Sequence, residues 1–286
     1  MATTDIQTCY RHPDRKAGVR CQRCERPICP DCMHQASVGF HCPECAKRGR
    51  QRVYTARALA TTRPVVTLAL VAINAVVYLL ELTVEAKPPI PLGLRGVADL
   101  GEPAVQGVLY GPAVAAGDWW RPITAGFLHA SPIHIGLNMF ILWQLGILLE
   151  VPLGRINYLV LYFMALLGGS ALVLGLHPDT PTLGASGAVF GLMGAAFVGL
   201  RSRGIDPFST AIGPLIVINL VFTFVASSFV SVGGHLGGLI AGAAGGWLLF
   251  ELAPRLRNGK VVAPAICAGA TVALFLACLY IANNPL

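Results

Sequence analysis

Charge is scarce in this chain. Of its 286 residues, 12% are Asp, Glu, Lys or Arg and only 14 are acidic, whereas 55% are hydrophobic. A soluble domain of this length has no use for so much apolar surface. The N-terminus has no apolar run of its own. It is polar and cysteine-rich, so no cleavable signal peptide is expected there. Cysteine is absent between residues 46 and 266, and seven of the nine cysteines fall between Cys9 and Cys45. The other two, Cys267 and Cys278, stand alone in an apolar segment and read as small hydrophobes. The net charge of +7 is no nucleic-acid footprint either, because the basic residues are unevenly spread: of 21 Lys and Arg, twelve precede residue 64.

What is abundant is apolar sequence. Segments at about 64–84, 133–151, 156–176, 183–200, 209–230, 235–252 and 262–282 approach the roughly 20 residues that cross a bilayer. The chain is therefore expected to be an all-α polytopic membrane protein with seven helices. A polar insertion, roughly 85–132 and rich in Pro and Gly, separates the first two segments. Trp119, Trp120 and Arg121 place that insertion at a membrane–water interface. With the N-terminus inside, eighteen basic residues lie on the cytoplasmic side, and only Lys87, Arg95 and Arg121 lie opposite. This bias predicts a cytoplasmic N-terminus and a C-terminus on the other side. The plasma membrane is the expected location. Residues 51–63 read as a basic juxtamembrane linker attracted to anionic lipid.

Before the linker, the pairs Cys9-x2-His12, Cys21-x2-Cys24, Cys29-x2-Cys32 and Cys42-x2-Cys45 supply eight soft or borderline ligands. That is enough for two tetrahedral structural Zn2+ sites. Disulfides are the rival reading, but a histidine at the eighth place fits metal better. The interleaved order suggests a cross-brace, with Cys9, His12, Cys29 and Cys32 on one ion and Cys21, Cys24, Cys42 and Cys45 on the other. His34 and His41 are spare candidates that read as solvated. The segment resembles B-box-type zinc fingers, which implies a structural or protein-partner role for residues 1–50.

The expected topology sets His134, Asn138, Ser186 and His235 at one depth, toward the outer leaflet, on three separate spans. Polar groups within a membrane usually face a protein interior or a water cavity. Their chemistry is complementary. A serine hydroxyl needs a base to become a nucleophile, and His235 is the only histidine of the later spans. His134 and Asn138, four apart on one helical face, can both donate hydrogen bonds to an oxyanion, as can the backbone N–H of Ser186. No acidic residue stands beside His235 in sequence, so the expectation is a dyad, with the Phe190 ring stacked on the imidazole. Gly187 and Gly191 on one segment, and Gly234, Gly238, Gly242 and Gly246 on another, repeat at intervals of four and allow close helix contact. Packing without chemistry is the plainer meaning of such stripes. A hydrolase elbow is excluded, since residue 188 is Ala and no strand precedes Ser186.

Gly184-Ala185-Ser186-Gly187, His235-x2-Gly238-x3-Gly242 and His129-x4-His134-x3-Asn138 resemble the motifs of rhomboid intramembrane serine proteases. Trp120-Arg121 resembles the family's first-loop pair, and Gly146-x3-Glu150-x3-Gly154 resembles a structural Glu motif. The resemblance covers roughly residues 64–252. It implies a six-helix protease core at 64–252 and an added transmembrane helix within 253–286. It also implies Ser186 as nucleophile, His235 as general base and then acid, His134 and Asn138 as oxyanion donors, and His129 as a loop-ordering residue. Many family members carry Tyr where Phe190 stands, so a hydroxyl contact is lost here while the ring can still stack. The implied activity is metal-free endopeptidase cleavage of transmembrane protein substrates through an acyl-enzyme, with a small residue at the scissile position, the lipid bilayer as medium and no nucleic-acid partner. The alternatives are a catalytically inactive rhomboid-like protein that binds transmembrane segments, and a transporter, for which inverted repeats and midplane charges are missing.

Overall fold

The structure is a computed structural model that describes residues 7–36, 39–48, 63–83, 102–228 and 230–285. It divides into two compact units, Met1–Thr61 and Thr62–Leu286. The basic linker expected at 51–63, apart from Arg63, and the first part of the 85–132 insertion, with Lys87 and Arg95, lie outside the described residues.

The N-terminal unit has almost no conventional core. Two short antiparallel pairs, β1 (Val19–Arg20) with β2 (Pro27–Ile28) and β3 (His34–Gln35) with β4 (Phe40–His41), precede helix α1 (Pro43–Arg48). Its buried residues are six cysteines and Ile28, with Tyr10, Val19, Met33 and Phe40 packed around them. So small a unit buries too little apolar surface to hold itself together and needs a staple.

The second unit is helical. Helix α2 (Val65–Thr83) is followed by the loop helices α3 (Glu102–Gly107), α4 (Gly111–Ala115) and α5 (Arg121–Thr124). Then come α6 (Pro132–Leu153), α7 (Arg155–Leu176), α8 (Ser186–Arg201), α9 (Ile212–Val225), α10 (Val232–Gly246) and α11 (Gly259–Asn283). A π-turn over Trp247–Leu252 extends α10. Five of the described helices are long and apolar enough to cross a membrane, so the protein is an integral, multi-pass membrane protein. Helices α8 and α9 are shorter than the apolar segments that contain them, with 16 and 14 residues. At about 1.5 Å per residue, α8 is roughly 24 Å long, short of the ~30 Å hydrocarbon core. It tolerates this because twelve of its sixteen residues are buried, so protein rather than lipid surrounds it. Its first residue, Ser186, is half-buried.

The core lies among α6, α7 and α8 around Leu142, Tyr158, Tyr162, Leu192 and Met193. Helix α10 packs along α7 and α8, and α11 packs against α7 and α4. Much of the apolar surface of α2, α9 and α11, including Leu82, Ile218, Val225 and Tyr280, is exposed, as lipid-facing residues should be. Helix α2 is fastened at its start by Glu150 of α6. That carboxylate accepts from the backbone N–H groups of Val66 and Thr67, each at 2.9 Å, and from Thr67 Oγ1 at 2.7 Å. A carboxylate is well placed at a helix N-terminus, where unpaired N–H groups and the dipole both favour it.

Candidate active site and metal centres

The described part of the insertion is fixed by Arg121. Its side chain is buried and donates to Asp118 Oδ2 at 2.8 Å and to the carbonyls of Val105 and Val108 at 2.8 and 2.9 Å. Trp119 and Trp120 are exposed, as interface tryptophans would be, whereas Arg121 turns inward and holds the loop helices together. The loop continues to the backbone of Gly184, whose N–H donates to the Ala125 carbonyl at 2.8 Å. Gly184 has a φ of +123°, which disfavours any side chain. A Cβ there would also stand 2.8 Å from His134 Nε2 and 3.8 Å from Ser186 Oγ. The glycine therefore keeps open a space bordered by both groups.

Ser186 is the first residue of α8, and its hydroxyl lies 2.9 Å from His235 Nε2 on α10. The two helices come this close because neither has a side chain at the contact. A Cβ on Gly238 would collide with the Gly187 carbonyl, and one on Gly242 would collide with that of Gly191. The Phe190 ring is stacked on the imidazole, with centroids 4.0 Å apart and planes 14° apart. His134 Nδ1 accepts from the Ala130 backbone N–H at 3.4 Å, which leaves Nε2 as the protonated, donating nitrogen. The Asn138 amide donates to the His134 carbonyl at 2.9 Å, leaving one amide hydrogen for another acceptor. His129 is fully buried, and its ring meets that of His134 edge-on at 5.0 Å.

A cavity of about 30 Å³, bordered by Gly184, Ser186, Gly187, Ser231 and Gly234, adjoins the hydroxyl and has room for about one water. A larger apolar cavity of about 660 Å³, between α2, α7 and the loop helices, holds none of the candidate site residues. One contact at the site was missed in the sequence: the Thr223 hydroxyl on α9 lies 2.7 Å from His235 Nδ1. Its only local signal is a threonine four residues after Asn219 in an otherwise apolar helix.

In the N-terminal unit the eight predicted ligands gather in two fours, Cys9–His12–Cys29–Cys32 and Cys21–Cys24–Cys42–Cys45. Within each, all ligand atoms lie within 4.8 Å of one another. His12 Nδ1 is 3.4 Å from both Cys29 Sγ and Cys32 Sγ. All nine cysteines are free, and His34 and His41 belong to neither group. Burial alone would push the Cys9 thiol up, but backbone hydrogen bonds at Arg11, Cys29 and His12 bring it down to about 6. Cys32 and Cys45 go the other way, to about 11 and about 12, through burial and neighbouring thiols. Crowded thiols of this kind ionise together only around a cation, so the donor set fits metal ions.

A multi-spanning helical unit with a serine–histidine contact between two close-packed helices defines a class, and comparison with known proteins gives the family. The family model described as Rhomboid domain matches residues 116–252. The Putative rhomboid protease YdcA of Bacillus subtilis is 31% identical over 157 residues, covering 53% of this chain and 75% of YdcA. Rhomboid protease GluP of the same organism is 38% identical over 132 residues, covering 45% of this chain and 26% of GluP. Rhomboid-like protease 3 of Toxoplasma gondii is 32% identical over 147 residues, covering 48% of this chain and 54% of that protein. The chain belongs to the rhomboid family. It spans about a quarter of the length of GluP and about half that of the Toxoplasma protein.

Proposed function

We propose that this protein is an intramembrane serine endopeptidase that cuts other membrane proteins in or near their transmembrane segments. The observation that carries this reading is the 2.9 Å contact between Ser186 Oγ and His235 Nε2. In the proposed reaction, His235 Nε2 takes the hydroxyl proton as Ser186 Oγ attacks the scissile carbonyl. The resulting oxyanion is received by His134 Nε2–H, the free Asn138 amide hydrogen and the backbone N–H of Ser186. The imidazolium then protonates the departing amine, leaving an acyl-enzyme. A water admitted beside Ser186 repeats the sequence, with His235 again as base, and releases the acid product. Phe190 keeps the imidazole plane fixed throughout.

The remaining assignments belong to the same reading. Residues 64–252 form the protease core, and residues 253–286 add a helix. Residues 51–63 are the basic linker. Residues 1–50 are a B-box-like module holding two structural Zn2+ ions and offering a surface to a protein partner. The bias of basic residues supports a cytoplasmic N-terminus and an external C-terminus, and the plasma membrane is the residence assigned on this reading. When bound, zinc supplies only structural cross-links, which Cys9, His12, Cys29 and Cys32 would form in one site and the remaining four cysteines in the other.

The test is cleavage of a single-span model substrate by the reconstituted chain. Ser186→Ala and His235→Ala should each lower turnover by about a thousandfold or more while expression is unchanged. Unchanged cleavage by Ser186→Ala rejects the assignment. Substrate capture with no cleavage by the natural chain would instead identify an inactive, segment-binding relative.

A further inference from the structure

The hydrogen-bond chain at the candidate site runs past His235. Thr223 Oγ1 lies 2.7 Å from His235 Nδ1 and also 2.7 Å from the backbone carbonyl oxygen of Asn219, one turn back on α9. A hydroxyl has one proton, and a carbonyl oxygen can only accept. The threonine proton therefore goes to Asn219. Toward the imidazole Thr223 can only accept, so Nδ1 must carry the ring proton. A neutral imidazole has a single N–H, which leaves the lone pair on Nε2, facing Ser186 Oγ. In the opposite tautomer Nε2–H would point at the serine, which would then have no base.

Among the described side chains, no carboxylate hydrogen-bonds His235. Among the described residues of the membrane unit, Glu150 caps α2, Asp118 pairs with Arg121, Glu251 pairs with Arg255, and Asp206 caps the turn before α9. Glu81 accepts from the backbone of His129. Asp179 lies in the turn after α7. Thr223 is fully buried, as is Gly213, while Ile212, Leu215 and Ile216 of α9 are half-buried against the core. At the site itself α9 contributes one hydroxyl.

We propose that Thr223 is a positioning residue that fixes the tautomer and orientation of His235, making α9 the third helix on which the base depends. The proposal deepens the protease reading and rests on it for its catalytic consequence, though the tautomer itself does not depend on that reading. Drawing α9 away from α10 would break the Nδ1 contact and release the ring, so the base is set only while α9 is in place.

Two measurements on the full chain test this. The first is the imidazole nitrogen spectrum of protein carrying 15N-histidine, with the His235 signals identified by their loss in His235→Gln. The natural chain should show protonated Nδ1 and unprotonated Nε2. Thr223→Val should shift the ring toward Nε2–H, and Thr223→Ser should restore it. The second is steady-state cleavage of a single-span peptide. Thr223→Val should lower kcat by about 100-fold with KM within about twofold, and Thr223→Ser should recover most of the rate. His235 protonated on Nε2 in the natural chain would overturn the proposal even if every variant failed to fold. So would Thr223→Val with an unchanged kcat and an unchanged spectrum. The expected tautomer in a chain that cleaves nothing would uphold the positioning contact and discard the protease reading.

Discussion

The two units of this protein bury quite different things. The N-terminal unit has a core of thiols, six buried cysteines and one isoleucine, and places its eight ligands in two tight groups. The membrane unit has a core of leucine, tyrosine and methionine, and where α8 meets α10 near the candidate site glycine faces glycine, Gly187 to Gly238 and Gly191 to Gly242. On the proposed reading, metal ligation holds the first, while close helix packing holds the second. Agents that dismantle one should therefore leave the other standing.

Metal removal should give the largest effect, and only on one side. Structural zinc contributes on the order of 10 kcal/mol or more to the folding of such modules. Chelation should therefore unfold the N-terminal unit, followed by protease sensitivity of residues 1–50, while cleavage of a single-span substrate continues at its former rate. Metal analysis should give two zinc ions per chain. Loss of cleavage on chelation would show that the units are coupled and would break the comparison.

Widening the helix contact should do the reverse. Gly238→Leu forces α10 off the Gly187 carbonyl. Overpacking of this kind costs about 1–3 kcal/mol. Because Ser186 and His235 separate with the helices, turnover should fall by about 100-fold or more. Metal content should stay at its original level.

Smaller effects sharpen the account. Glu150→Ala removes the acceptor for three donors at the start of α2, two of them backbone. Stranded buried donors cost about 1–3 kcal/mol each at most, so the melting midpoint should fall clearly. The surviving folded fraction should keep its kcat, since Glu150 lies near the opposite end of α6 from His134 and Asn138. Phe190→Ala should be milder. Loss of an aromatic stack is worth about 0.5–1.5 kcal/mol, so turnover should fall by up to about tenfold with little change in midpoint. A larger loss would mean that Phe190 does more than hold the ring.

The parts of this arrangement that were legible in the sequence are those written locally. Four close pairs announced the two ligand groups. Glycines at intervals of four announced the contact that brings Ser186 to His235. The parts that were hidden are long-range. Glu150 as the cap of α2 joins residues more than 80 positions apart, and the family resemblance alone hinted at a structural role for it. Arg121 read as an interface charge because two of its partners are loop carbonyls, which leave no trace in composition, although its third, Asp118, stands only three residues before it. Thr223 was invisible for a physical reason. A threonine in an apolar helix ordinarily bonds the carbonyl one turn back, and this one does so. Its second contact exists only because α9 lies beside α10.

The central claim is that the Ser186 hydroxyl is activated by the His235 imidazole across two glycine-faced helices. Covalent labelling of the reconstituted protein with a fluorophosphonate probe, with the modified residue located by peptide mapping, tests it most directly. The account predicts labelling at Ser186 that disappears in His235→Ala and in Gly238→Leu but persists after chelation. Absence of labelling in the natural chain, or labelling that survives loss of His235, would contradict it.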